Sequence, residues 1–144
     1  MRVYLDNCCY NRPFDPQEQL RVAIETEAKM RVQDLMRTGQ IEYAWSAVLD
    51  YEVGKSRFQD RVDMIWPWGD KATVFVPMYS EIVSRGAEIQ QLGVKKIDAL
   101  HLASAEYAEC DWFLTTDKGI LKKVRDLGSM KVANPVDFVM EDGI

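Results

Sequence analysis

Four acidic side chains stand where a fold could do chemistry with them. Asp6 closes the short apolar run Val3-Tyr4-Leu5, and Asp117 follows Trp112-Phe113-Leu114-Thr115-Thr116. Both runs read as buried strands of a parallel sheet, whose carboxyl ends form the functional edge, so the two carboxylates would share one rim. Asp98 opens the helical segment Lys96-Ile97-Asp98-Ala99-Leu100-His101-Leu102-Ala103, where an acid also complements the helix dipole. Glu52 lies in Val48-Leu49-Asp50-Tyr51-Glu52-Val53, an acid with apolar neighbours that a solvated helix face would equally explain. Two carboxylates about 5 Å apart repel by roughly 3 kcal/mol at an effective dielectric near 20. A site that gathers several therefore needs a cation, and oxygen ligands suit Mg²⁺ or Mn²⁺. Such a metal can activate water and neutralise the charge that builds on a phosphodiester.

The elements that must position these acids alternate along the chain. Arg2 to Asp6 reads as the first strand. After the turn signal Asn11-Arg12-Pro13-Phe14-Asp15-Pro16, apolar residues from Leu20 to Met36 recur at helical spacing and stop at Gly39. Ile41 to Trp45 is a second strand, and Ser46 is the N-cap of a helix running through Leu49 and Val53 toward Phe58. Met64-Ile65-Trp66-Pro67-Trp68-Gly69 is ambiguous, because Pro67 breaks whatever helix precedes it. Thr73 to Val76 is a third strand, and a helix from Tyr79 to Leu92 ends at Gly93. A further helix covers Lys96 to Glu109, with Ile97, Leu100, Leu102 and Ala103 on its buried side. Trp112 to Thr115 is a strand, Ile120 to Leu127 a helix, and Lys131-Val132-Ala133 the last strand. This alternation predicts an α/β fold with a mostly parallel central sheet and helices on both faces.

Composition narrows the function classes. With 144 residues, 47% of them hydrophobic, the chain is expected to form one domain over residues 1–144. No run approaches the roughly 20 uncharged residues that cross a bilayer, and the opening Met1-Arg2-Val3-Tyr4-Leu5-Asp6 cannot be the apolar core of a signal peptide. A cytoplasmic location without membrane attachment is expected. Three cysteines, two of them adjacent as Cys8 and Cys9, read as reduced thiols, and a zinc site would want a second Cys/His pair at turn-like spacing, where only Cys110 and the lone His101 remain. The net charge of -5 argues against broad attachment to a polyanion. A site of four carboxylates would contribute -4 of it, leaving -5 + 4 = -1 for the rest.

Other side chains have plainer readings. His101, on an apolar helix, reads as a packing residue with one satisfied hydrogen bond. Trp45 and Trp112 fall inside strands and belong to the core, whereas Trp66 and Trp68, flanking Pro67, suit a dimer or partner surface. Lys95-Lys96 and Lys118, beside two of the acids, are placed to hold phosphate or are solvated surface charge.

Taken in order, Val3-Tyr4-Leu5-Asp6-Asn7, Ser46 through Glu52, Asp98-Ala99-Leu100-His101-Leu102-Ala103-Ser104-Ala105 and Phe113-Leu114-Thr115-Thr116-Asp117 resemble the blocks of PIN-domain nucleases. In size the chain is similar to the toxins of VapBC-type toxin-antitoxin pairs. The resemblance implies a PIN-like three-layer α/β/α fold with Asp6, Glu52, Asp98 and Asp117 as metal-site acids and Thr115 as an assisting hydroxyl. It also implies Mg²⁺ or Mn²⁺ as cofactor, RNA as substrate, a homodimer, and a small antitoxin protein as partner. Many relatives carry Asn, Ser or Thr two residues beyond the first acid; Cys8 stands there in this chain, with Asn7 adjacent to the acid.

Two other functions compete. A phospho-acceptor receiver domain also uses acids at a sheet edge, but it wants adjacent acids after the first strand and an acceptor Asp after the third. This chain has Asp6-Asn7 and Pro77 at those places, and helix-borne Glu52 and Asp98 have no role in it. A non-catalytic binding module on the same PIN fold is the remaining alternative.

Overall fold

The computed structural model describes residues 1–142. Its centre is a strand, β1 (Arg2–Leu5), whose Val3, Tyr4 and Leu5 are all without solvent exposure. A strand buried on both faces cannot alternate polar and apolar residues, which is why the run reads as continuously apolar. On one side it pairs with β2 (Glu42–Ser46), which pairs in turn with β3 (Val74–Val76). On the other side lie β4 (Trp112–Leu114) and β6 (Met130–Ala133), with the short β5 (Asp126–Leu127) at the edge. The sheet order is β3-β2-β1-β4-β6-β5, and only β5 runs antiparallel. In register, Leu5 lies beside Leu114 and Leu114 beside Ala133, so β1 and β4 end level with each other. Asp6 and the segment leading to Asp117 therefore emerge on the same rim.

Among the described residues the helices are α1 (Asn7–Asn11), α2 (Leu20–Arg37), α3 (Ala47–Gly54), α4 (Gln59–Asp70), α5 (Ser80–Gln90), α6 (Lys96–Tyr107), α7 (Lys118–Lys123) and α8 (Pro135–Asp142), with a 3₁₀ turn at Arg12–Phe14. They complete a three-layer α/β/α arrangement in which α5 packs on α6 and α2 on α8. None of the described helices is long and apolar enough to cross a membrane.

Three segments differ from expectation. Pro67 does not end a helix; it lies inside α4, where it is exposed. Packing overrides the proline. Ile65 is 3% exposed, Tyr43 Oη donates to the Trp68 carbonyl at 2.5 Å, and Gly69 lies against the Trp45 ring, so the last turn of α4 is held from the core side. The helix expected over Ile120 to Leu127 stops at Lys123, because Val124 is extended and Gly128, at φ 62°, turns β5 back onto β6. The helix from Ser46 ends at Gly54, short of Phe58. Helices α1 and α8 had no counterpart in the expected element order.

The contact between Gly69 and Trp45 yields a stability prediction. A Cβ on Gly69 would lie 2.9 Å from the Trp45 ring, which is 1% exposed, donates Nε1–H to Asp50 at 2.7 Å and meets Tyr10 edge-on. Gly69→Ala is expected to destabilise by about 1–3 kcal/mol through overpacking. Gly54→Ala, where nothing lies within 4 Å, should be neutral or slightly stabilising. Urea melts of the two variants check this, and equal midpoints would contradict it.

Candidate metal centre

Each acid of the rim is set by a local device. Asp6 is the N-cap of α1: Oδ1 accepts the Asn7 N–H at 2.8 Å. Its other oxygen, Oδ2, accepts the Thr115 hydroxyl at 2.8 Å, and Thr115 Oγ1 in turn accepts the Asp117 N–H at 3.1 Å. Thr115 is fully buried and acts on the site through its hydrogen bonds to Asp6, the Asp117 N–H and Cys8. Asp117 N-caps α7 through Oδ1, which accepts Gly119 N–H at 2.7 Å. Ser46 caps α3 as expected, accepting Leu49 N–H at 3.1 Å, and α3 then carries Glu52 inward. Asp98 stands in the first turn of α6.

These four carboxylates, separated by up to 111 positions in sequence (117 - 6), line one cleft of about 460 Å³. Cys8 lies there too; its Sγ is 3.3 Å from Thr115 Oγ1 and accepts Thr116 N–H at 3.3 Å, so the thiol occupies the place of a small polar side chain. Burial, followed by the negative charges of Asp6 and Asp117, pushes the Asp98 carboxyl up to about 6; His101 opposes the shift and Glu52 adds to it. An acid so raised at the meeting point of other acids marks a surplus of negative charge.

His101 is not a packing residue with one hydrogen bond. It is fully buried, its Nδ1 is 2.6 Å from the Tyr4 hydroxyl, its Nε2 is 2.5 Å from Glu52 Oε1, and the same nitrogen is 3.8 Å from Asp6 Oδ1. Asp6, Glu52 and His101 each offer a ligand atom within 4.8 Å of the others, a spacing that can hold a metal ion. The donor set fits a hard divalent cation, since four of the five side chains present carboxylate oxygen.

Of the two readings of Lys95, Lys96 and Lys118, the structure fits solvated surface charge. All three are exposed and do not line the cleft; Lys55 and Arg61 do, together with Phe58. Arg61 stacks over the Phe58 ring at 4.5 Å. The interleaving of Lys55, Arg57, Phe58 and Arg61 is a signal present in the sequence that could have marked this wall. Of the aromatic residues, Trp45 and Trp112 are core, Trp66 is 43% exposed, and Trp68 is half-buried against Tyr43.

The mostly parallel sheet between its helical layers forms a PIN-like three-layer α/β/α fold. No protein-family model matches the sequence, and no curated protein matches it. Among solved structures the chain is similar to one in the crystal structure of VapBC2 from Rickettsia felis bound to a DNA fragment from their promoter. The two share 15% sequence identity at a TM-score of 0.58, over 93% of this chain and 98% of that chain, and the likeness is one of fold.

Proposed function

We propose that this chain is a metal-dependent endoribonuclease, the toxin half of a toxin-antitoxin pair, acting in the cytoplasm on RNA phosphodiester bonds. The observation that carries the reading is the convergence of Asp6, Glu52, Asp98 and Asp117 on one cleft from four separate segments. Asp6, Glu52, Asp98 and Asp117 would hold Mg²⁺ or Mn²⁺, which supplies a water of lowered pKa and charge neutralisation at the phosphate. The chain's own groups do the rest. Thr115 orients Asp6, and the Asp6 and Asp117 carboxylates are pinned by helix N-termini. Lys55, and Arg61 paired at 3.5 Å with Asp15, place cations along the cleft wall, which lessens the repulsion that a -5 chain presents to a polyanion. Phe58, exposed beside them, offers a face for a base of single-stranded RNA. The three free thiols agree with a reducing compartment. The fold shared with a chain of the VapBC2 structure supports an antitoxin partner covering the cleft, and exposed Trp66 supports a homodimer, which light scattering tests.

The products test the reaction. A cation held by these acids would supply an activated water, so cleavage would not need the 2′-hydroxyl and the expected ends are 5′-phosphate and 3′-hydroxyl. Mass spectrometry of a cleaved oligonucleotide should find them, EDTA should stop cleavage, and excess Mn²⁺ should restore it. A 2′,3′-cyclic phosphate, or activity surviving exhaustive chelation, contradicts the mechanism. Tight RNA binding with no cleavage in Mn²⁺ identifies the non-catalytic binding module instead.

A further inference from the structure

The buried polar chain behind Glu52 admits one arrangement of hydrogens that pairs every member. Ser46 Oγ accepts the Leu49 N–H and lies 2.6 Å from the Tyr4 hydroxyl. The Tyr4 hydroxyl is also 2.6 Å from His101 Nδ1, and His101 Nε2 is 2.5 Å from Glu52 Oε1. Ser46, Tyr4 and His101 have no solvent exposure, and the Ser46 and Tyr4 side chains have no further hydrogen-bond partners among the described residues. A serine hydroxyl, a phenol and a neutral imidazole each carry one proton to donate. If the phenol donated to Ser46, the serine oxygen would take two donors and its own proton would have no acceptor in a buried place. An imidazolium forces the same fault, because its Nδ1–H would occupy the phenol oxygen and turn the phenol's proton toward Ser46. If Ser46 donates to Tyr4 and Tyr4 donates to Nδ1, nothing is left unpaired. The imidazole proton then sits on Nε2 and is donated to the Glu52 carboxylate.

We infer that the Tyr4–Ser46 pair locks His101 as its Nε2–H tautomer, making His101 a positioning residue that clamps Glu52 beside Asp6 and excluding it as a metal ligand. The inference rests on the metal-centre reading of the cleft and deepens it. Spacing alone admits His101 as a nitrogen ligand, but coordination needs a bare Nε2 and hence a proton on Nδ1, the arrangement that strands the Ser46 hydroxyl. The metal centre is then built from oxygen alone, and its affinity depends on a hydroxyl of β1 that never touches the ion.

The tautomer can be read directly because the chain has a single histidine. In Mg²⁺-saturated, ¹⁵N-labelled protein, long-range proton–nitrogen correlation spectra should show a protonated Nε2 and a bare Nδ1. Calorimetric Mn²⁺ titration supplies the second measurement. Tyr4→Phe, which removes the hydroxyl and keeps the ring, should weaken Mn²⁺ binding by about 10- to 100-fold, as loss of outer partners does at metal sites. His101→Gln, which can still offer an N–H to Glu52, should recover most of the affinity lost in His101→Leu. A proton on Nδ1, Mn²⁺ affinity unchanged by Tyr4→Phe, or equal losses in the two His101 variants overturns the clamp while leaving the metal centre standing. Failure of the wild-type chain to bind Mn²⁺ overturns the metal-centre reading and the clamp with it.

Discussion

Asp98→Asn is expected to lower RNA cleavage by roughly 100- to 1000-fold while leaving the metal-free protein at least as stable as the wild type. The rate loss corresponds to about 3–4 kcal/mol of charge stabilisation at the phosphate, the several kcal/mol that a correctly held divalent cation contributes. The stability effect has the opposite sign for a physical reason. The Asp98 carboxyl is raised to about 6 by burial and by its acidic neighbours, above the value near 4 of an unfolded chain. At neutral pH the ionised group therefore works against folding, and this destabilisation fades as pH falls from about 6 toward 4. Asparagine keeps the shape without the charge and removes that cost. Mn²⁺ binding should run the other way, weakening below about pH 6 as a proton competes for Asp98. Thermal melts in EDTA and single-turnover cleavage in Mn²⁺ separate the two effects. Full activity in Asp98→Asn would remove this residue from the site, and a large fall in melting temperature would show that its charge is not surplus.

Glu25→Ala should cause the largest loss of stability of any acid outside the cleft, about 3–5 kcal/mol, the usual cost of stranding a buried ion pair. Glu25 is 3% exposed and is surrounded by donors: Arg12 Nε at 2.9 Å and Asn134 Nδ2 at 2.5 Å, with Arg21 Nε at 3.3 Å. One carboxylate thus ties α2 to the 3₁₀ turn and to Asn134, the residue just before α8. At roughly 2–4 °C per kcal/mol for a chain of this size, the melting temperature should fall by about 10 °C. The same change should reach the cleft, because Arg12 also holds Asp15, and Asp15 pairs with Arg61 on the cleft wall. Glu25→Gln, which keeps an acceptor for one arginine, should be milder. A midpoint shift below about 2 °C for Glu25→Ala would show the cluster to be solvent-compensated.

Much of the frame was legible from the chain because local physics decides it. Val3-Tyr4-Leu5 and Trp112-Phe113-Leu114 are apolar throughout and so read as strands buried on both faces, and their level parallel pairing puts Asp6 and the segment leading to Asp117 on one rim. Ser46 before an apolar helix reads as a cap, and it is one. Other features are relations between segments that share no local signal. His101 looked like a lone packing histidine because its partners, Tyr4 and Glu52, lie 97 and 49 positions away in sequence. Pro67 sits within a helix because Ile65, Trp68 and Gly69 find the core, a packing gain that propensity does not contain. Lys95, Lys96 and Lys118 are close to the acids along the chain, yet Lys55 and Arg61 are the cations beside them in space, since helices α3 and α4 meet over the cleft. Residue types and their periods determined the strands, the caps and the acids; which buried groups face one another was decided only when the sheet brought distant segments within hydrogen-bonding reach.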